Sequence, residues 1–389
     1  MAAFPSYDVE FYSDEVILDP YPHYRAIRDL GPVTWLSKNE LYAIGRYDDV
    51  RNALRADSIL VSGKGVAANP IMNKEEVPTT LISDGERHTL YKRTSMKPIV
   101  AGAMKALRGR IQESAVELVD RLVDQKEFDT MRDLAQFLPL SIVAHLVGLP
   151  DAGRENLLKW AAATFDALGS LNKRAKVGIL GVKEVYDFIV PLQREDVKPG
   201  LWADQLFDAA DAGTIEHDEV HGLMMDYIGP SLDTTIFGIG HMMFYLSQHQ
   251  DQWQAIRDDP ELATGAVNEA LRMDAPIRAF TRYVTEDFEV GGVTIPKGGR
   301  AVVIYGSANR DERHYPDPDR FDITRNNGDH IGFGYGVHKC MGVHLAKLEM
   351  RILLEELAKK IERFECGEPK VAMNNVLRGF ESMPMRLLA

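Results

Sequence analysis

The sequence predicts a mainly α-helical protein with small β-sheets, and three features carry that reading. Apolar residues recur at helical spacing through residues 101–190, as with Ile111, Ala115, Leu118, Val119 and Leu122. A second long stretch, 216–249, reads as one continuous helix. Strand-like runs are short and scattered, at 33–36, 41–46, 288–296 and 301–305. Pro, Gly and Ser are spread rather than clustered and no repeat occurs, so residues 1–389 are expected to form one domain.

Taken in order, residues 21–30 read as a short helix with a proline near its start. The runs 33–36 and 41–46 flank Ser37-Lys38-Asn39-Glu40, a hairpin signal. After a brief helix at 48–54, residues 60–80 are rich in Gly, Asn and Pro, and loops of that length are usually functional or disordered. A helix opening at Asp84 puts His88 and Lys92 on one face. Asp151 caps a helix that carries Trp160, Phe165 and Leu168. Within 216–249, Pro230 removes an N–H donor and clashes with the carbonyl of Asp226, so the helix should bend or open there. Glu269 and Arg272 form an i, i+3 pair, and 342–359 is an amphipathic helix.

Composition excludes several classes. A net charge of −13 argues against wrapping nucleic acid or lying on an anionic membrane. The first residues have neither a basic nor an apolar leader region, and no apolar run is long enough to span a bilayer, so a cytoplasmic protein is expected. Two cysteines, Cys340 and Cys366, cannot make a disulfide framework. Cys366 lies among acidic residues and reads as incidental.

Cys340 does not. Glycines at 332, 334, 336 and 342 surround it, Phe333 and His338 precede it, and a helix follows whose positive end favours a thiolate. Iron–sulfur and cysteine-rich zinc sites would need further cysteines that the chain lacks, which leaves haem iron as the best partner for a lone thiolate. The pattern Phe333-Gly334-x-Gly336-x-His338-x-Cys340-x-Gly342 resembles the haem-binding loop of the cytochrome P-450 family. The resemblance extends over essentially the whole chain, through Ser231-Leu232-Asp233-Thr234-Thr235, Ser307-Ala308-Asn309-Arg310-Asp311 and Leu377-Arg378-Gly379-Phe380.

That resemblance implies the family's α-rich prismatic fold, with haem b between the long central helix and the Cys340 helix. It implies a soluble bacterial type of monooxygenase, similar to members that hydroxylate or O-demethylate substituted benzoates and related aromatics. Cys340 would ligate iron, with Phe333 and Gly334 in the cofactor loop. His88, Lys92, Arg282 and His338 would face the propionates, Lys92 standing where the family usually has Arg. Asp233 and Thr234 would be the acid and alcohol that relay protons to reduced oxygen. Val66, Ala67, Phe165, Leu168, Asp226, Pro230, Ser231, Ala279 and Phe280 would border the substrate. Glu269, Arg272 and Arg320 would form a structural ion network. The chain has no nucleotide-binding fingerprint, so electrons are expected from a ferredoxin and its NAD(P)H-dependent reductase, docking on basic residues such as Arg93, Lys97, Lys105, Arg108, Arg110, Lys339 and Lys347. O2 and a small organic molecule would be the substrates. The alternatives are a terpene or other apolar-molecule hydroxylase, a peroxide-driven hydroxylase, and a non-catalytic haem-thiolate binding or sensing protein.

Overall fold

Two long helices pack side by side, Ala101–Gln125 and Val343–Lys360, in a computed structural model that describes residues 4–74 and 77–388, with the backbone alone for 101, 106, 144, 145, 152 and 154. Neither helix contains proline. The first buries Ile111, Ala115, Leu118 and Leu122, as their spacing predicts. The second ends in Lys359 and Lys360, whose charges suit the negative end of the helix dipole. Around them lies the main core, to which Asp233–Gln248 contributes Ile236, Ile239, Met242 and Met243.

The expected continuous helix over 216–249 is instead a 3-10 turn, His217–Glu219, and two helices, Val220–Ile228 and Asp233–Gln248. Gly229 N–H still reaches Met225 O at 3.2 Å, and the helical ladder resumes with Ile236 N–H on Leu232 O at 3.0 Å. Pro230 stands in the gap, where its missing N–H and ring forbid the regular ladder. The opening expected from the sequence is therefore present.

Over one end of this break lie Leu157–Ala167 and Lys173–Ile189. They approach closely because Gly178 and Gly181 face Ala163 and Ala167. A Cβ on Gly178 would sit 2.6 Å from Ala167 N, and one on Gly181 2.4 Å from Ala163 Cβ. The expected hairpin forms between Thr34–Leu36 and Leu41–Ile44, with Thr34 opposite Ala43. It belongs to a six-stranded sheet ordered Ser6–Tyr7, Thr34–Leu36, Leu41–Ile44, Arg300–Ile304, Ala279–Val284, Leu60–Val61. Near the C-terminus a bridge between Ile277 and Leu377 brings Val376 and Leu377 against Val66, Phe165 and Leu168.

A buried ion pair ties the helical and loop regions together. Arg272 Nε and Nη2 donate to Glu269 at 2.9 and 2.8 Å, and both side chains are 0 % exposed. Arg272 Nη1 also donates to Asn309 O and Pro318 O, each at 2.8 Å. The expected third member, Arg320, is not in the network. Its side chain is exposed and pairs with Asp322, and only its carbonyl accepts from Arg272. Arg325 takes the place, with Nε 3.2 Å from Glu269 Oε1. A turn separates 320 from 325, and only the structure shows which guanidinium turns inward.

Removing one partner of a buried, hydrogen-bonded ion pair strands the other charge. Arg272→Ala should therefore lower unfolding free energy by roughly 3–5 kcal/mol, and Arg325→Ala by about 1–3 kcal/mol. Arg320→Ala should stay within about 0.5 kcal/mol of wild type. Denaturant unfolding of the three variants checks that ranking.

Candidate active site

The Cys340 loop is fixed at both ends. Cys340 N–H donates to Phe333 O at 2.9 Å, and Gly334 N–H to Ile331 O at 2.8 Å. Gly334 and Gly336 have φ of 69° and 71°, a left-handed conformation that favours glycine. A Cβ on Gly336 would also meet Leu54 O at 2.5 Å, so that glycine accommodates a neighbouring backbone rather than a ligand. The following helix begins at Val343, three residues after Cys340. Burial pushes the Cys340 thiol up, while the Gly342 N–H, Lys92, the Val343 N–H and Lys339 pull it back towards the thiolate. The expected pull of the helix start towards the thiolate is present in direction, but in the open cavity it does not offset desolvation, and the thiol stays above its ordinary value.

Cys340 faces a cavity of about 640 Å³. Val66, Phe165, Leu168, Asp226, Pro230, Ser231 and Phe280 line it, together with Phe333 and Gly334. Ala67 and Ala279 do not. Neighbours in a strand point to opposite sides, so where Phe280 faces the cavity Ala279 faces away, and in the irregular segment that follows Gly65 Val66 reaches the lining while Ala67 does not. Ala67 is buried with its carbonyl taken by the Thr281 hydroxyl at 2.8 Å, and Ala279 packs in the cluster of Val302 and Ile304.

His88, Lys92, Arg282 and His338 all line this cavity. The rings of His88 and His338 lie 4.0 Å apart. His88 Nε2 is 3.1 Å from Val337 O, and its Nδ1 is 3.0 Å from Thr80 O. Lys92 donates to Val337 O and, at 2.8 Å, to Lys339 O, which leaves one of its three N–H groups free for a ligand. Arg282 Nη1 donates to Thr281 O at 2.8 Å. His338 Nε2 is buried without a hydrogen-bond partner, 3.6 Å from Asp84 Oδ1. A thiol on the lining, a buried imidazole nitrogen without a close partner, Lys92 and Arg282 beside it and apolar walls fit a haem with two propionates.

Thr234 and Asp233 part company. Thr234 faces the cavity and its hydroxyl donates to Pro230 O at 2.8 Å, across the helix break. Asp233 opens the Asp233–Gln248 helix but does not line the cavity, since successive helical residues point about 100° apart. It is buried with Oδ2 unpartnered, and burial pushes its carboxyl up to about 7. Asp226 lines the wall, with Oδ2 accepting the Thr80 N–H at 2.9 Å. Burial pushes it up to about 6.

Comparison with known proteins agrees with this site. The family model described as Cytochrome P450 matches residues 182–384. Cytochrome p450 CYP199A2 of Rhodopseudomonas palustris is 34% identical over 392 residues, covering 99% of this chain and 95% of that protein. The linalool 8-monooxygenase of Pseudomonas putida is 29% identical, covering 97% of each chain. The solved haem domain of CYP116B5 from Acinetobacter radioresistens shares the fold at a TM-score of 0.87, with 24% identity over 98% of this chain and 97% of that one.

Glu349 also lines the cavity, and the sequence reading missed it. It lies one turn beyond Leu345 on the buried stripe of Val343–Lys360, an acid at an apolar position, which was the available signal. Its Oε1 is buried without a partner, and burial pushes the carboxyl up to about 8. Between its ordinary value and about 8 the folded protein holds a proton that the unfolded chain releases, so stability falls as pH rises through that window. Glu349→Gln should match wild type near the bottom of the window and exceed it by roughly 2–4 kcal/mol near the top. Denaturant midpoints across a pH series measure the difference.

Proposed function

Because the chain belongs to the cytochrome P450 family, we propose that this monooxygenase works as a single domain on a small, largely apolar organic molecule, with an aromatic one favoured, by hydroxylation or oxidative O-demethylation. Haem b, held through a cysteine thiolate, is the family's cofactor. One observation carries the reading: Cys340 and Thr234 line the same apolar cavity, with His88, Lys92, Arg282 and His338 beside the cysteine loop. Phe165 and Phe280 in its wall support an aromatic substrate. The linalool 8-monooxygenase relative supports a terpene as the second reading.

In this proposal Cys340 Sγ is the iron ligand, and the Gly342 and Val343 N–H groups stabilise its charge. When bound, the haem supplies oxygen activation and insertion, for which a thiolate ligand favours O–O cleavage. The chain's own task is proton supply. Thr234 Oγ1 donates to Pro230 O, so its lone pairs remain free to accept a proton and its hydroxyl can pass one on. Asp233, the preceding residue and pushed up to about 7, holds a proton near neutral pH and would recharge that hydroxyl once its carboxyl turns towards the cavity. The walls formed by Val66, Leu168 and Phe280 exclude bulk water from the reacting end.

Asp233→Asn and Thr234→Ala should each lower product formation by about 10²-fold or more. Asp233 in its protonated form is the proton source, so product per NAD(P)H should fall as pH rises through about 7 and become flat in Asp233→Asn. Product yield against cofactor consumption, measured from acid to alkaline pH, tests both.

A ferredoxin with its NAD(P)H-dependent reductase is the proposed electron source. Arg93, Lys97, Lys105, Arg108, Arg110 and Lys339 are exposed, and their charges would attract an acidic partner despite the negative total charge. Turnover with a ferredoxin system should exceed turnover with peroxide and decline as salt is raised. Faster peroxide turnover, or no salt dependence, would remove this partner.

A further inference from the structure

Charge is unevenly spread over the cavity lining. Lys92, Arg282 and Lys339 gather at the cysteine loop, where the rings of His88 and His338 touch and Lys92 bonds the carbonyls of residues 337 and 339. Away from that loop the walls are apolar, with Val66, Phe165, Leu168 and Phe280. Lys183 lines the mouth, but it is largely exposed and bonds Asp187. On those walls stands one carboxylate among the described residues, Asp226, the other acid of the lining, Glu349, being on the helix that follows the cysteine.

Asp226 has no ion pair among the described residues. Its one protein partner is Thr80, whose N–H reaches Oδ2 at 2.9 Å. A neutral amide or hydroxyl would accept that N–H as well, without the cost of a charge in an apolar wall. Burial raises this acid, with no neighbouring cation to oppose it, yet only to about 6, so it is largely ionised at neutral pH. The charge exceeds what the fold needs, and it faces the space where a substrate lies.

We propose that Asp226 is a specificity-determining residue: the substrate has an apolar or aromatic body and a cationic amine at one end, and the Asp226 carboxylate pairs with that amine inside the cavity. This rests on the haem-monooxygenase reading above and narrows its substrate. The ammonium supplies the counter-charge that the protein withholds, and a substrate carboxylate is repelled. Asp226 lies just before the helix break and Thr234 just after it, so the anchor and the relay hydroxyl belong to one wall. Through the Thr80 N–H, the anchor also holds the loop that carries Leu81 and Ile82 into the lining.

The test compares a cation with its neutral isostere: (4-methoxybenzyl)trimethylammonium against 4-methoxyneopentylbenzene. A quaternary nitrogen cannot ligate iron, so displacement of iron-bound water reports binding in the cavity. The haem-loaded wild type should bind the cation at least about tenfold more tightly than the isostere. Asp226→Asn, which keeps an acceptor for Thr80, should lose about tenfold or more for the cation and leave the isostere unchanged. Equal or tighter binding of the isostere by wild type overturns the proposal, whatever the variant does. So does an equal loss of both ligands in Asp226→Asn. If the protein lacks the carbon-monoxide difference band of a thiolate-bound haem, the monooxygenase reading itself falls and this proposal with it. A normal band without discrimination sinks this proposal alone.

Discussion

The buried pair of Glu269 and Arg272 is the constraint on which the rest of the site depends. Two charges at 0 % exposure are stable only when every donor and acceptor is met. Arg272 reaches Glu269 with two nitrogens and the carbonyls of Asn309 and Pro318 with a third. Glu269 further accepts from Asn327 Nδ2 at 3.0 Å and from the Asp322 N–H at 3.0 Å. Asn309 then fixes the entrance to the cysteine loop, because its Oδ1 accepts the Ile331 N–H at 2.7 Å. A chain of short polar contacts thus runs from a helix in the core to the segment that presents Cys340.

The buried acids divide by whether the protein supplies a cation. Glu269 and Asp274 are ion-paired, and both are held below the usual carboxylate range even though burial opposes it. Asp226, Asp233 and Glu349 lack such a partner, and burial raises all three. Two of those three line the cavity and the third adjoins a residue that does. Among these five, the paired acids hold the fold and the unpaired ones lie in or beside the cavity lining, whereas Asp166, also raised by burial, stands away from it and accepts the Asn375 N–H.

The break at residues 229–232 has a local cause and a distant effect. Proline ends the backbone ladder, and the Thr234 hydroxyl takes up the Pro230 carbonyl at 2.8 Å. The chain on either side keeps its helical packing, with Met224 and Ile228 before the break and Ile236 and Ile239 after it in one core. A site for polar chemistry is thereby opened within an otherwise apolar helix.

The fold class and most element positions were legible in the sequence, and so was the glycine-rich loop that carries Cys340, because period, turn residues and a glycine-rich motif are local signals. The sequence also placed the proline break, since the proline ring acts on the carbonyl four residues back. Tertiary structure decided which arginine pairs with Glu269, because 320 and 325 lie in one irregular segment without a period to orient them. It decided that Val66 and Phe280 face the cavity while Ala67 and Ala279 turn away, that Thr234 faces the ligand space while Asp233 stands behind it, and that Glu349 joins the lining. Each of these is a question of side-chain direction and of the partner across space, and those are set by packing between segments far apart in the chain.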